Sequence, residues 1–126
     1  MIRGVTLDAG ALIAFDRRDR RVVALIREVE AAGGRITVPA TALSQALRSP
    51  VRQARLMRLL RQPVTDTVAL DRADAAVVGQ LLAASRTADI ADAHVVVCAR
   101  RAGTPVATSD AGDLRLLDPA LALIDV

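Results

Sequence analysis

The chain has one cysteine, one histidine, one aromatic residue and no tryptophan, tyrosine or lysine. Each shortage excludes something. A lone Cys98 closes no internal disulfide and builds no Cys-rich metal site, which points to a reducing cytoplasm. With only Phe15, the chain lacks the aromatic platforms on which stacking single-strand binders rely, so any contact with RNA has to go through phosphates and chemistry. The single His94 lies inside an apolar helical pattern, away from the surface mouth that Ser-His-Asp or Cys-His catalysis needs, and no Gly-rich phosphate loop follows any predicted strand. No unbroken apolar run approaches the ~20 residues that cross a bilayer. Residues 2–15 are interrupted by Arg3, Gly4, Asp8 and Gly10 and do not read as a secretory signal. A soluble, cytoplasmic protein with no membrane partner is expected.

What is present is the composition of an ordinary folded protein: 126 residues, 52% hydrophobic and 25% charged. That predicts one domain over residues 1–126, long enough to bury a core without disulfides or structural zinc. All 17 cationic side chains are arginines and the net charge is +3. The planar guanidinium fork suits phosphate and carboxylate, so a nucleic-acid partner is permitted but not required.

Short β-prone runs at residues 4–7, 35–38, 64–70, 104–108 and 120–126 are separated by helical patterns. The helices are predicted over 9–15, 20–32, 40–48, 51–61, 71–84, 89–102 and 110–117. Strands joined through helices imply parallel pairing by right-handed crossovers, hence an α/β fold, a three-layer α/β/α sandwich with a central, mainly parallel sheet. Ligands then bind beyond the carboxyl ends of the strands. Asp8 follows the first strand, Asp110 follows the 104–108 strand, and Asp92 lies in the first turn of the 89–102 helix. These three can meet at one sheet edge.

Capping competes with this reading. In Asp89-Ile-Ala-Asp92 and Asp110-Ala-Gly-Asp113 an acid opens a helix and a second follows three residues on, as helices do to satisfy their own amides. Asp92 fits capping less well, because the helix behind it is apolar nearly all round and so buried. Acids gathered without basic partners are better explained by a hard divalent cation such as Mg²⁺ or Mn²⁺, which takes oxygen ligands and keeps several waters. Such an ion acts as a Lewis acid and lowers the pKa of a coordinated water.

Four motifs, Leu-Asp8-Ala-Gly-Ala-Leu, Val-Pro39-Ala-x-x-Leu-x-x-Ala, Asp89-x-x-Asp92-Ala and Thr-Ser-Asp110-x-x-Asp113-Leu, resemble the PIN domain in order and spacing across essentially the whole chain. The likeness is closest to the VapC-type toxins of bacterial toxin–antitoxin pairs. The resemblance implies a metal-dependent endoribonuclease, a homodimer and a cognate antitoxin that occludes the site. It makes Asp8, Asp92 and Asp110 the catalytic metal ligands, with Asp89 and Asp113 as supporting or alternative ligands. Thr108 and Ser109 become hydroxyls that orient a carboxylate or a bound water. The departure is Gln45, an uncharged amide where the family pattern carries glutamate. That leaves open a catalytically weak RNA-binding or regulatory protein. A phospho-receiver is a further alternative, disfavoured because the receiver family needs a lysine in its site. Arg17, Arg18, Arg20 and Arg21 form the cluster best placed for RNA phosphates. Arg55, Arg58 and Arg61 recur at three-residue steps opposite Leu56, Leu59 and Leu60, as either a solvated face or a second RNA contact.

Overall fold

The computed structural model describes residues 2–126. Five parallel strands, β1 (Gly4–Leu7), β2 (Arg35–Pro39), β3 (Thr65–Val68), β4 (Val106–Thr108) and β5 (Leu123–Asp125), form one sheet in the order β3-β2-β1-β4-β5. Val5 pairs with Ile36 on one side of β1, and Leu7 pairs with Ala107 on the other. The chain therefore winds outward from β1 to β3 and then returns to the opposite side of β1. This reversal is the topological switch point at which open α/β sheets make their ligand crevice, and it lies between the ends of β1 and β4.

Seven helices flank the sheet: α1 (Ala9–Asp16), α2 (Arg20–Ala31), α3 (Ala40–Ala46), α4 (Ala54–Arg61), α5 (Arg72–Ser85), α6 (Ile90–Ala102) and α7 (Ala111–Leu117). Helix α2 is a regular amphipath. Asp19 caps it by accepting from the Arg21 and Val22 amides, and Val22, Leu25, Ile26 and Val29 are buried. After its end, a β-carbon at Gly34 would sit 1.8 Å from the Arg3 carbonyl oxygen, so only glycine lets β2 begin alongside β1. Helix α6 is the central helix. It touches β1, β2, β4, α3, α5 and α7, which explains why Ala91, Ala93, Val95, Val96, Val97, Cys98 and Ala99 are all buried despite having no single apolar face.

The structure differs from the sequence reading mainly at element ends. The helix expected over 51–61 starts at Ala54, because residues 48–53 form a turn organised by Gln53. Its Oε1 accepts from the Arg48 and Ser49 amides, and its Nε2 donates to the Ala46 carbonyl. On α4, Leu56 and Leu59 are buried while Arg58 and Arg61 are exposed. Arg55 leaves that solvated face and lies with its guanidinium 5.5 Å from the Phe15 ring.

Two carboxylates are buried away from the sheet edge, Asp74 and Asp118. Asp74 of α5 is 2% exposed and pairs with Arg101 of α6, fixing one helix against the other. The Arg101 hydrogen bond, opposed by burial, holds the Asp74 carboxyl below its usual value of 3.8. A depressed acid adds stability above its unfolded-state pKa and loses it as pH falls through the lower folded-state value. Asp74→Asn is accordingly expected to lower the melting temperature at pH 7, and the gap to the parent should shrink as the pH drops below 3.8. Thermal melts across that range check it; a gap of constant size would show that the charge plays no part.

Candidate functional site

Asp8 follows β1, is 5% exposed, and its Oδ1 accepts the Ala11 amide at 2.8 Å, capping α1. Across the switch point β4 ends at Thr108, whose Oγ1 accepts the Asp110 amide at 2.8 Å. The Thr108 hydroxyl also lies near enough to Asp8 to lower its pKa, so the two strand ends that carry acids stand side by side. Burial pushes the Asp8 carboxyl above its ordinary value, Thr108 and the Ala11 amide restrain it, and the Asp110 charge raises it further. The first turn of α1 lies so close to the segment after β4 that a β-carbon at Gly10 would stand 2.1 Å from Ser109 Oγ.

Asp92 joins them from α6, where Asp89 caps the helix by accepting the Asp92 amide at 2.9 Å. The Asp92 carboxyl is pushed up to about 6, first by burial and then by the charges of Asp89, Asp8, Asp113 and Asp110. Four acids drawn from three stretches of sequence act on a fifth, which requires all of them to share one region. Asp113 is also raised, first by its hydrogen bond to Asp110, then by the Asp110 charge, burial and Asp89. Asp89, Asp92 and Asp113 line a cleft of about 150 Å³ with Thr87, Ala88, Leu116 and Leu117.

Among the described residues no cation answers this charge. Among the described residues the ion pairs are Arg35–Asp66, Arg100–Asp118 and Arg101–Asp74, and none involves the five acids. Capping and metal binding are compatible here, because Asp8 and Asp89 each give one oxygen to a helix amide and keep the other. Among the described residues no three acidic, histidine or cysteine side chains form a ready-made cage for an ion. Asp89, Asp92 and Asp113 instead share one cleft, with Asp8 and Asp110 near enough for their charges to raise Asp92; carboxylate oxygens are the donors that a hard divalent cation retaining several waters takes.

The other expected residues fall around this centre. Ser109 is exposed at its rim and lines a cleft of about 450 Å³ with Gly10, Ile13, Ala14, Arg17 and Asp19. Arg17 therefore faces a groove that begins beside the acids, whereas Arg18, Arg20 and Arg21 are exposed on the turn and helix start beyond it. Gln45 is exposed on α3 and lines a cleft of about 390 Å³ with Thr41, Ser44 and Asp89; among the described residues it has no hydrogen bond to the acids. His94 is fully buried, its Nδ1 2.7 Å from Thr41 Oγ1, and burial keeps it uncharged by lowering its pKa. Sequence reasoning overlooked Thr41, Ser44, Leu116 and Leu117. Only the spacing of Thr41, Ser44 and Gln45 along one helix hinted that they share a face.

The PIN domain family model matches residues 5–118. Among solved structures, the chain is similar to FitAB bound to an IR36 DNA fragment, with 19% identity over 96% of this chain and 94% of that one, at a TM-score of 0.67. It is also similar to FitAcB from Neisseria gonorrhoeae, with 21% identity over 95% and 96% and a TM-score of 0.66. VapBC2 from Rickettsia felis, bound to a DNA fragment from their promoter, gives 14% identity, 98% coverage of each chain and a TM-score of 0.67. No curated protein sequence matches the chain. At these identities the structures establish the fold, and the family match, running from inside β1 to the residue after α7, takes in all five acids: the chain belongs to the PIN domain family.

Proposed function

We propose that this chain is a metal-dependent endoribonuclease acting as the toxin of a type II toxin–antitoxin pair, as a cytoplasmic homodimer blocked by a cognate antitoxin. The observation that carries the nuclease reading is the convergence of five carboxylates at the switch point with no arginine among them, enough to raise Asp92 to about 6. Resemblance to VapC-type toxins supports the toxin role, the dimer and the antitoxin.

Asp8, Asp92 and Asp110 would hold Mg²⁺ or Mn²⁺, with Asp89 and Asp113 beside them. When bound, the ion supplies charge to a phosphoryl oxygen and lowers the pKa of a coordinated water. The chain's own part is placement. Thr108 holds the Asp110 backbone in place, and Asp8 is held by the Ala11 amide. The Asp89 cap fixes the first turn of α6, so Asp92 projects from a rigid helix end. Asp110 raises the Asp113 carboxyl, so the two acids act on one another at the start of α7. Arg17, at the groove leading away from Ser109, offers a fork to the RNA backbone, and Arg18, Arg20 and Arg21 extend the positive surface.

A second reading, a weak or inactive RNA-binding protein, is favoured by the uncharged Gln45 and by the open arrangement of the acids. Incubation of the purified protein with RNA separates the two. Cleavage is expected with Mn²⁺, none with EDTA. Asp8→Asn and Asp92→Asn should each lose more than the roughly 10–100-fold typical of residues that only support ligands. RNA binding without cleavage would favour the second reading, and cleavage surviving both substitutions would move the chemistry elsewhere.

Metal binding has its own readout. With EDTA at pH 7.5 Asp92→Asn should be more stable than the parent by on the order of 1–3 kcal/mol, since each pKa unit of suppressed ionisation is worth about 1.4 kcal/mol. Mn²⁺ should raise the melting temperature of the parent and leave the variant nearly unmoved. For the arginines, replacing Arg17, Arg18, Arg20 and Arg21 with glutamine should weaken RNA binding and flatten its dependence on salt; an unchanged slope would remove them from the interface.

A further inference from the structure

Four of the described residues have positive φ, and they divide by place. Gly33 (φ 69°) and Gly103 (φ 66°) lie where strands begin, away from the acids. Gly33 precedes Gly34, which stands against the Arg3 carbonyl, and Gly103 shares a cleft with Arg3, Gly4 and Arg35. Glycine adopts this backbone without a steric penalty. The other two are arginines, Arg18 (φ 63°) and Arg86 (φ 56°), whose β-carbons make the same backbone strained. Both lie beside the acid centre. Arg18 stands between Arg17 and Asp19, which line the cleft that begins at Ser109. Arg86 is followed by Thr87 and Ala88, which line the cleft of Asp89, Asp92 and Asp113.

Several bonds hold Arg86 in this state. Its amide and the Thr87 amide both donate to the Leu82 carbonyl, closing α5. The hydroxyls of its two neighbours, Ser85 and Thr87, meet at 2.8 Å. A helix end of this shape takes glycine or asparagine by preference. The Arg86 side chain is exposed, and among the described residues it joins no ion pair. The charges that act on Asp92 all come from acids, so Arg86 stands beside the cleft without neutralising it. Strained backbone that its surroundings over-determine is concentrated where ligands are held. A cation fixed at its root and free at its head, next to an acidic cleft, suits a polyanion that passes from one to the other. We infer that Arg86 is a substrate-binding residue whose guanidinium takes a backbone phosphate of the RNA, next to the phosphate at the acids, on the α5–α6 side of the cleft. This rests on the proposed cleavage of RNA. Arg17 attends the Ser109 side, so the strand is held on both flanks of the phosphate that is cut.

The test separates a helix end from an RNA contact. In EDTA, where no cutting is expected, a labelled single-stranded RNA is titrated into the parent, Arg86→Gln, Arg86→Gly and Arg86→Lys over a range of salt, and each protein is melted. Arg27→Gln, at an exposed position on α2, controls for net charge. Arg86→Gly should melt a few degrees above the parent, because the strain is gone, while Arg86→Gln should melt with it. Both should bind RNA about tenfold more weakly, as for the loss of one charge-assisted hydrogen bond. The slope of log affinity against log salt should fall by about 0.7, the share of one phosphate on a single strand. Arg86→Lys should recover most of the affinity, since an ammonium also serves a phosphate. In Mn²⁺, Arg86→Gln should raise KM and leave kcat nearly unchanged. Parent-like binding and slope in Arg86→Gln, or equal losses in Arg27→Gln, would overturn the contact. An Arg86→Gly variant that melts no higher than the parent would overturn the strain on which the inference stands. Arg86-dependent affinity in a parent that cuts no RNA would keep the contact and overturn the nuclease reading, while cutting with a KM indifferent to Arg86 would do the reverse.

Discussion

The arrangement depends on repulsion that the fold is forced to tolerate. Five carboxylates occupy one region at the end of β1 and β4, and Asp92 is the group on which their mutual field falls most heavily. Left to themselves such charges would spread into solvent. They are restrained by attachments that are cheap individually: Asp8 and Asp89 each serve as a helix cap, Thr108 holds the Asp110 amide, and α6 is clamped by packing on nearly every side. The acids are therefore held by interactions that also stabilise ordinary secondary structure, and the excess negative charge is what remains for a ligand.

Buried charge elsewhere in the molecule is handled differently. Asp74 meets Arg101, and the nearby His94 stays neutral with Thr41 as its partner. Asp118, just after α7, meets Arg100. These pairs are local solutions in which each acid finds its cation or hydrogen bond within the chain. The contrast between the paired acids on the flanks of α6 and the unpaired ones at its mouth sets that end of the helix apart from the rest.

Much of the fold was legible because its signals are short-range. Asp19 and Asp71 announce helix starts, Gly33 and Gly103 announce helix ends with positive φ, and the alternation of strands and helices dictates parallel pairing. Asp8, Asp92 and Asp110 were placed together by one rule about strand ends. What escaped were features set by side chains reaching across the structure. Gln53 builds the turn that delays α4 until Ala54, and nothing in the local pattern distinguishes that residue from an ordinary helical glutamine. Thr41 and Ser44 join the site's surroundings only because α3 packs against α6. The position of Gln45 follows from the same packing: it faces a cleft shared with Asp89 and makes no bond to the acids, which its sequence context could not disclose.

The sheet order has a further consequence for how the molecule comes into being. β1 is made first but sits in the middle, and its partner β4 arrives about a hundred positions later, with Thr6 meeting Thr104 through their hydroxyls at 2.8 Å. Contacts so distant along the chain form late and slowly. While the ribosome is still building the first two thirds of the polypeptide, Asp8 has neither Thr108 nor Asp110 to face, and the crevice has only one wall. A growing chain thus lacks the complete acidic crevice until synthesis has nearly ended.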